Sequence, residues 1–308
     1  MVLEVQNLVK EFRSGFLRKR IKVLNDITFS VEPGEVFGIA GPNGAGKTTI
    51  FKCILGFIKP TSGSIRIFQK PSDHSELKKL LGYLPENPYF YEYLSGFELM
   101  KYMGKLHGIE GKLLSKRIDE LLEKVNLTSA SKVQLRKYSK GMLQRIGIAQ
   151  ALINDPEFII FDEPMSGLDP LGRREVRDLI LELKKSGKTV ILSSHILSDL
   201  EALCDKVCFI FRGKVVKLGS IYDLYNEIDS EYEAVVQKSN ADLSVLEKID
   251  TIKYEQREDY VVINFSEKHK SSVIEFIQRN KMNLVSMHPI RTSLENIYDQ
   301  YSDDTQIK

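Results

Sequence analysis

Apolar and polar residues follow three successive rhythms along this chain. Through residues 2–40 they alternate and are broken by turn residues, which predicts a small antiparallel sheet. Leu3–Leu8, Asp26–Val31 and Ser64–Phe68 are its strand candidates. From Leu77 to Asn154 the spacing turns helical. Ser95-Gly96-Phe97-Glu98 has the form of a capping box and starts a periodic run to His107, followed by helices over Leu113–Val125 and Ser139–Ile153. After Asn154-Asp155-Pro156 short apolar strands alternate with helices: Phe158–Phe161, then a helix over Arg173–Lys185, then Thr189–Ser194, Val207–Phe211 and a hairpin turn at Arg212-Gly213. Continuous apolar strands between helices predict a parallel sheet covered on both faces.

The tail keeps its own rhythm. Glu231–Gln237 alternates as a strand, Leu243–Ile249 suits a short helix, and Thr251–Arg257 with Tyr260–Ser266 predicts a hairpin. Lys268–Asn280 is helical, Asn283–Met287 is a strand, and Ser293–Tyr301 is a candidate closing helix. The order βαββαβ is that of a ferredoxin-like α+β domain. The division expected is 1–222 for the main domain, with a helical subdomain at about 87–154, and 230–308 for an accessory domain. There is no internal repeat and no low-complexity segment.

Composition narrows the class. A chain of 308 residues with 42% hydrophobic content can build a sizeable core. A net charge of +2 argues against a dedicated nucleic-acid binder. The basic cluster Arg18-Lys19-Arg20 with Lys22 is either a solvated loop or a contact for nucleotide phosphates or anionic lipid. Cys53, Cys204 and Cys208 show no zinc-like pairing; Cys204 and Cys208 share a helix face or, with Cys208 already in a strand, are two small core residues. That usage suits a reducing cytoplasm. No apolar run approaches the roughly 18 residues of a membrane-spanning helix, and Met1–Val5 lacks the features of a signal peptide. A membrane function would need another chain to supply the membrane part.

The chemistry starts at Gly41-Pro42-Asn43-Gly44-Ala45-Gly46-Lys47-Thr48-Thr49, which fits the phosphate-binding loop pattern G-x-x-x-x-G-K-[ST]. The apolar run Val36–Ala40 precedes it as a strand and Ile50–Leu55 follows as a helix. Glycines let successive N–H groups curl around a polyphosphate, and the helix N-terminus adds partial positive charge. Lys47 is expected on the β- and γ-phosphates of ATP and Thr48 on Mg²⁺. A second constellation is Phe158-Ile159-Ile160-Phe161-Asp162-Glu163. Four apolar residues predict a strand buried beside the loop strand, with two carboxylates at its carboxyl end. Asp162 is placed to anchor Mg²⁺ and Glu163 to polarise an attacking water.

Tyr138-Ser139-Lys140-Gly141-Met142-Leu143-Gln144-Arg145 opens a helix shortly before that strand. Here the chain resembles the ATP-binding subunits of ABC transporters, whose signature Leu-Ser-Gly-Gly-Gln stands here as Tyr-Ser-Lys-Gly-Met. Ser166-Gly167-Leu168-Asp169 resembles the D-loop of that family, and Ser194-His195 its switch histidine. The resemblance covers 2–222 and implies a P-loop NTPase core with an antiparallel β subdomain and a helical subdomain. It implies that His195 contacts the γ-phosphate. It also implies that Ser139, Gly141, Met142 and Asp169 of one subunit complete the ATP site of a second subunit, in a homo- or heterodimer. The family's Q-loop glutamine is replaced: Leu84-Pro85-Glu86-Asn87 puts Glu86 there, a carboxylate able to bind Mg²⁺ or a water. The adenine-stacking aromatic is expected at Phe12, with Phe16 as its rival.

By the same resemblance, the cluster Tyr89, Phe90, Tyr91, Tyr93 and Phe97 after Glu86 grips a cytoplasmic helix of a transmembrane permease; for any one ring, core packing is the other reading. The function expected is ATP hydrolysis that powers translocation through a separate permease, with export favoured by the separate tail and the Ser-Lys-Gly-Met form. The location expected is cytoplasmic, peripheral on the inner membrane face. The alternative is a soluble ABC-type ATPase acting on ribosomes or DNA. Against it stand a single set of motifs and the absence of sustained heptads.

Overall fold

A computed structural model describes residues 1–14, 19–226, 231–239, 243–247, 252–289 and 294. Phe16 lies outside the described residues, as does the helix expected over Ser293–Tyr301 apart from Leu294. The chain divides into two compact units, Met1–Ile221 and Tyr222–Lys308.

In the first unit, β1 (Leu3–Ser14), β2 (Lys19–Val31), β4 (Ser62–Ile67) and β5 (Lys70–Pro71) form an antiparallel sheet in the order β2-β1-β4-β5. The alternation of residues 2–40 predicted this sheet, although β1 and β2 run longer than the alternation suggests. Its inward residues Leu3, Val5, Leu8, Leu24, Ile27 and Ile67 are fully buried and belong to the same core as Phe37, Ile39 and Phe51. Each such side chain contributes about 1.5–3 kcal/mol of burial free energy.

The second sheet has six strands: β3 (Val36–Ala40), β6 (Leu81–Leu84), β7 (Phe158–Phe161), β8 (Thr189–Ser194), β9 (Lys206–Phe211) and β10 (Lys214–Ser220). Their order is β10-β9-β3-β8-β7-β6. All neighbours are parallel except the hairpin partner β10. Every residue of β3, β7 and β8 is buried, as expected for strands covered on both faces. The hairpin turn needs two left-handed residues, Arg212 at φ 45° and Gly213 at φ 74°. The Gly213 N–H donates to the Ala45 carbonyl at 3.1 Å, so this turn also braces the phosphate loop.

Two expectations are corrected. Phe158–Phe161 does not lie beside the loop strand, because β8 pairs with both β3 and β7 and separates them. A local apolar run carries no information about which distant strand it pairs with. Within the stretch read as helical, Leu81–Leu84 is a strand parallel to β7. Four residues are too few to display a period that separates strand from helix.

Helix α1 (Lys47–Ile54) follows the loop. Between β6 and β7 come α2 (Gly96–Leu106), α3 (Gly111–Lys124) and α4 (Lys140–Ala151). The Ser95 capping box is present: the Ser95 hydroxyl accepts from the Glu98 N–H at 3.3 Å, and Glu98 accepts from the Ser95 N–H at 2.8 Å. The bond from the Ser95 N–H, with one from the Ser95 hydroxyl at 2.7 Å, holds the Glu98 carboxyl below its usual range. Helices α5 (Pro170–Lys185) and α6 (Leu197–Leu203) follow β7 and β8. Helix α7 (Ile221–Asn226) runs across the division between the units.

The second unit contains β11 (Glu231–Gln237), α8 (Ser244–Glu247), β12 (Lys253–Gln256), β13 (Tyr260–Ser266), α9 (Lys270–Arg279) and β14 (Leu284–Pro289). The sheet order β12-β13-β11-β14 is antiparallel throughout. With its βαββαβ connectivity this is the ferredoxin-like arrangement. Val236, Ile263, Phe265, Val273 and Ile277 form its core.

Candidate active site

The loop after β3 ends in α1, whose N-cap Gly46 has φ 109° and offers no capping side chain. A side chain at Gly46 would meet Leu24 Cδ2 at 2.6 Å, so β2 holds the loop closely from behind. With no capping side chain, the first N–H groups of α1 are left open for an anion such as phosphate. Lys47 is buried, and its ammonium donates to the Gly41 carbonyl at 2.7 Å and the Pro42 carbonyl at 3.4 Å. Val23, Pro42, Asn43, Gly44, Gly46, Thr48, Thr49, Glu86 and Glu163 join Lys47 around a cleft of about 390 Å³. Ala45 is buried behind the loop, with its N–H on the Pro42 carbonyl.

The carboxylates arrive from the carboxyl end of β7. Asp162 is fully buried. One oxygen, Oδ1, accepts from the Ser193 hydroxyl at 2.7 Å, and the Thr48 side chain stands close enough to act on the carboxylate; the other oxygen, Oδ2, is buried without a hydrogen-bond partner. Burial raises the Asp162 pKa above its ordinary value, the Ser193 bond and the Thr48 side chain oppose that, and the negative charges of Glu86 and Glu163 add to it. An orphaned buried carboxylate oxygen beside a threonine hydroxyl fits a divalent cation with oxygen ligands.

Glu163 is buried at φ 51°, a left-handed conformation costing about 1–2 kcal/mol for a residue with a side chain. Its N–H donates to Ser193 Oγ at 2.9 Å, so one serine holds both carboxylate residues. Glu163 Oε1 lies 3.1 Å from the Lys47 ammonium as an ion pair, out of line for a hydrogen bond. Glu163 Oε2 lies 2.8 Å from His195 Nδ1. An ionised carboxylate only accepts, so Nδ1 carries the proton of this bond. Lys47, Glu163 and His195 thus form one chain of contacts, although Lys47 and Glu163 stand 116 positions apart in the sequence.

Glu86 lies at this cleft, directly after β6, so the structure brings it to the loop and carboxylates. Phe12 pairs with Ile21 across β1 and β2, is partly exposed, and has the Lys10 ammonium 5.0 Å from its ring centre. It is not among the residues lining the cleft, whereas Val23 is.

A second cleft, of about 460 Å³, gathers Ser139, Gly141 and Asp169 with Asn126, Gly167 and Glu175. Ser139 caps α4, accepting from the Met142 N–H at 3.2 Å, and Asp169 caps α5, accepting from the Gly172 N–H at 2.9 Å. Such caps contribute about 1 kcal/mol each. Met142 itself is not a lining residue. The two clefts share no lining residue, so within one subunit the signature residues stand apart from the phosphate loop.

Two residues of the site were missed in the sequence. Ser193 stands one residue before the Ser194-His195 pair and is fully buried; a hydroxyl inside an apolar strand was the available signal. Gln144, also buried, directs its amide to the Glu163 backbone carbonyl at 3.5 Å and so ties α4 to the backbone that carries this carboxylate.

The burial of Asp162 has a measurable consequence. Its folded pKa lies above the unfolded value, so its charge opposes folding above the folded pKa. That cost is relieved as pH falls through the folded pKa towards the ordinary value. Without divalent metal, Asp162→Asn should therefore melt above the wild type at pH 8, with the gap narrowing as the pH is lowered. Equal melting temperatures across that range would show that the charge is already compensated.

Residues 24–166 match the family model for ABC transporters. An ABC transporter ATP-binding protein of Nostoc is 46% identical over 250 residues, 80% of this chain and 74% of its own length. The Bacillus subtilis ABC transporter ATP-binding protein YhcH is 32% identical over 308 residues, 99% of this chain and 97% of its own. The lantibiotic transport ATP-binding protein SrtF of Streptococcus pyogenes is 40% identical over 222 residues, 72% of this chain and 92% of its own. Among solved structures, the ATP-binding subunit of an ABC transporter matches with a TM-score of 0.65 at 31% identity, covering 74% of this chain and 93% of that one. The cassette MJ0796, in a dimeric post-hydrolysis state bound to ADP and Pi, matches with a TM-score of 0.66 at 25% identity, covering 71% of this chain and 98% of that one. Identity at this level over most of the chain leaves one conclusion: this protein belongs to the ATP-binding subunits of ABC transporters and is an ABC ATPase.

Proposed function

We propose that this chain binds Mg²⁺-ATP at the loop cleft and hydrolyses it in a dimer, driving export through a separate transmembrane permease. The observation that carries this is the contact chain Lys47–Glu163–His195 beside the buried Asp162, with Thr48 next to it in the phosphate loop. Lys47 and the α1 N-terminus bind the phosphates. Thr48 and Asp162 would hold Mg²⁺, with Glu86 beside them; the ion, when bound, neutralises charge developing on the phosphate oxygens. Glu163 takes the proton of the attacking water, and His195 fixes the orientation of its carboxylate. Phe12 is assigned to the adenine.

Ser139, Gly141, Met142 and Asp169 would serve the ATP of the partner subunit. Their separation from the loop cleft supports a site completed only on dimerisation, and MJ0796, a relative by fold, is a dimer. The permease contact is assigned to the rings after Glu86. Phe90 is buried, whereas Tyr89 is 93%, Tyr91 51% and Tyr93 66% exposed, and Tyr91 packs on Tyr93 and Tyr102. Exposed rings clustered this way suit a partner surface. Among the described residues no helix is long and apolar enough to cross a membrane, so attachment to the inner face of the membrane is assigned to the permease. Export follows the likeness to SrtF. The ATPase domain is assigned to 1–222, with its helical subdomain at about 87–154, and the accessory domain to 230–308.

The test is isolation of the chain from its own membranes. An integral membrane protein should co-purify in fixed ratio with wild type and be lost with Tyr91→Ala/Tyr93→Ala, while Mg²⁺-dependent hydrolysis by the isolated chain persists. A fully active chain that never associates with membranes would favour the soluble alternative.

A further inference from the structure

Helices α5 and α6 each begin where a loop of the active site ends. Helix α5 is capped by Asp169, the last residue of Ser166-Gly167-Leu168-Asp169, and α6 starts two residues after His195. The two helices pack against each other. Each carries a charged residue in its first turn. Arg173 donates its N–H to the Asp169 carbonyl at 3.0 Å, and Asp199 donates its N–H to the Ile196 carbonyl at 3.3 Å.

These two side chains are unusual. Asp199 is 4% exposed, and its Oδ2 is buried without a hydrogen-bond partner. Arg173 Nε is likewise buried without one. A buried carboxylate with an open acceptor is costly, and so is a buried guanidinium with an open donor. The positive charges that act on Asp199 are Arg173, Arg177 and His195, and the negative one is Glu163. Burial outweighs the positive charges and raises the Asp199 pKa. The open donor and the open acceptor thus sit on adjoining helix starts, each one turn from a loop that borders Glu163.

We infer that Arg173 and Asp199 are a positioning pair for ATP hydrolysis: an ion pair closing between the first turns of α5 and α6 couples the Ser166–Asp169 loop to His195. The pair touches neither nucleotide nor water and acts through His195, whose Nδ1 orients Glu163. Engagement of the Ser166–Asp169 loop by a partner subunit would shift Arg173 towards Asp199. The carboxylate then gains its missing donor, and the loop carrying His195 is held against Glu163. One side of the dimer interface is thereby sensed at the catalytic carboxylate. This rests on the proposed dimeric site.

The test uses the full chain, Mg²⁺-ATP turnover, ATP affinity and melting temperature together. Asp199→Asn removes a buried charge that lacks a partner, so its melting temperature should not fall. Its kcat should nevertheless drop about tenfold or more, with ATP affinity within about twofold of wild type. Arg173→Gln should show the same split, the double variant should be no worse than either single one, and Arg173→Lys should restore part of kcat by keeping the charge. Wild-type kcat in Asp199→Asn would overturn the inference, leaving Asp199 as a charge serving only the α6 dipole. Additive losses in the double variant would also overturn it. If the wild-type chain itself neither dimerises with ATP nor turns it over, the dimeric site fails first, which separates the two outcomes.

Discussion

Replacing Glu163 by Gln should leave ATP bound and turnover lost. The glutamine amide keeps the size of the side chain and an acceptor for His195 Nδ1, now 2.8 Å from Oε2. It cannot take a proton from water, and loss of a positioned base costs about 10²–10⁴-fold. The substitution also removes the partner of the Lys47 ammonium at 3.1 Å, leaving that charge free for phosphate. ATP affinity should therefore hold or rise, and the variant should accumulate as an ATP-bound dimer visible by size-exclusion chromatography. Near-normal hydrolysis by Glu163→Gln would remove Glu163 from the role of base and transfer it to a positioned water or His195.

The second large effect separates the two halves of the site. Gly141→Asp places a carboxylate in the signature cleft. Within one subunit the new Cβ would meet only Leu168 Cδ2 at 3.4 Å and Ser139 Oγ at 3.9 Å, contacts the fold can accept. The chain should fold and bind ATP as a monomer, yet fail to dimerise with ATP, because a negative charge would face the partner's phosphate. Lys47→Ala should fail at the other half, losing the ammonium that now rests on Gly41 and Pro42. Each variant alone should be inactive. A mixed dimer contains one site with both defects and one with neither, so mixing should restore partial ATPase activity. Strong activity of Gly141→Asp by itself would exclude a site shared between subunits.

Most elements were legible in the sequence, and the reason is local. Phe158–Phe161, Thr189–Ser194, Glu231–Gln237 and Tyr260–Ser266 are bounded as expected. Each is a short run whose apolar pattern is broken sharply by polar or turn residues. The capping box at Ser95 and the phosphate loop are equally local, since every atom that defines them lies within about one helical turn or one tight loop. Lys47, Thr48, Asp162 and Glu163 could be named as candidates for that reason.

What tertiary structure decided is pairing at a distance. The chain order of β3, β7 and β8 does not say that β8 enters between the other two. Yet that placement brings Ser193 to both Asp162 and Glu163 and sets His195 against Glu163. The helical subdomain likewise returns Gln144 to the Glu163 carbonyl from 19 residues away. The sequence by itself determined most of the elements, the phosphate loop and the chemical identity of the acids, because backbone propensity and side-chain periodicity act over a few residues. The tertiary structure alone decided which buried polar groups satisfy one another. In a close-packed core each donor must find an acceptor that the sheet order, and not the neighbouring residues, brings within reach.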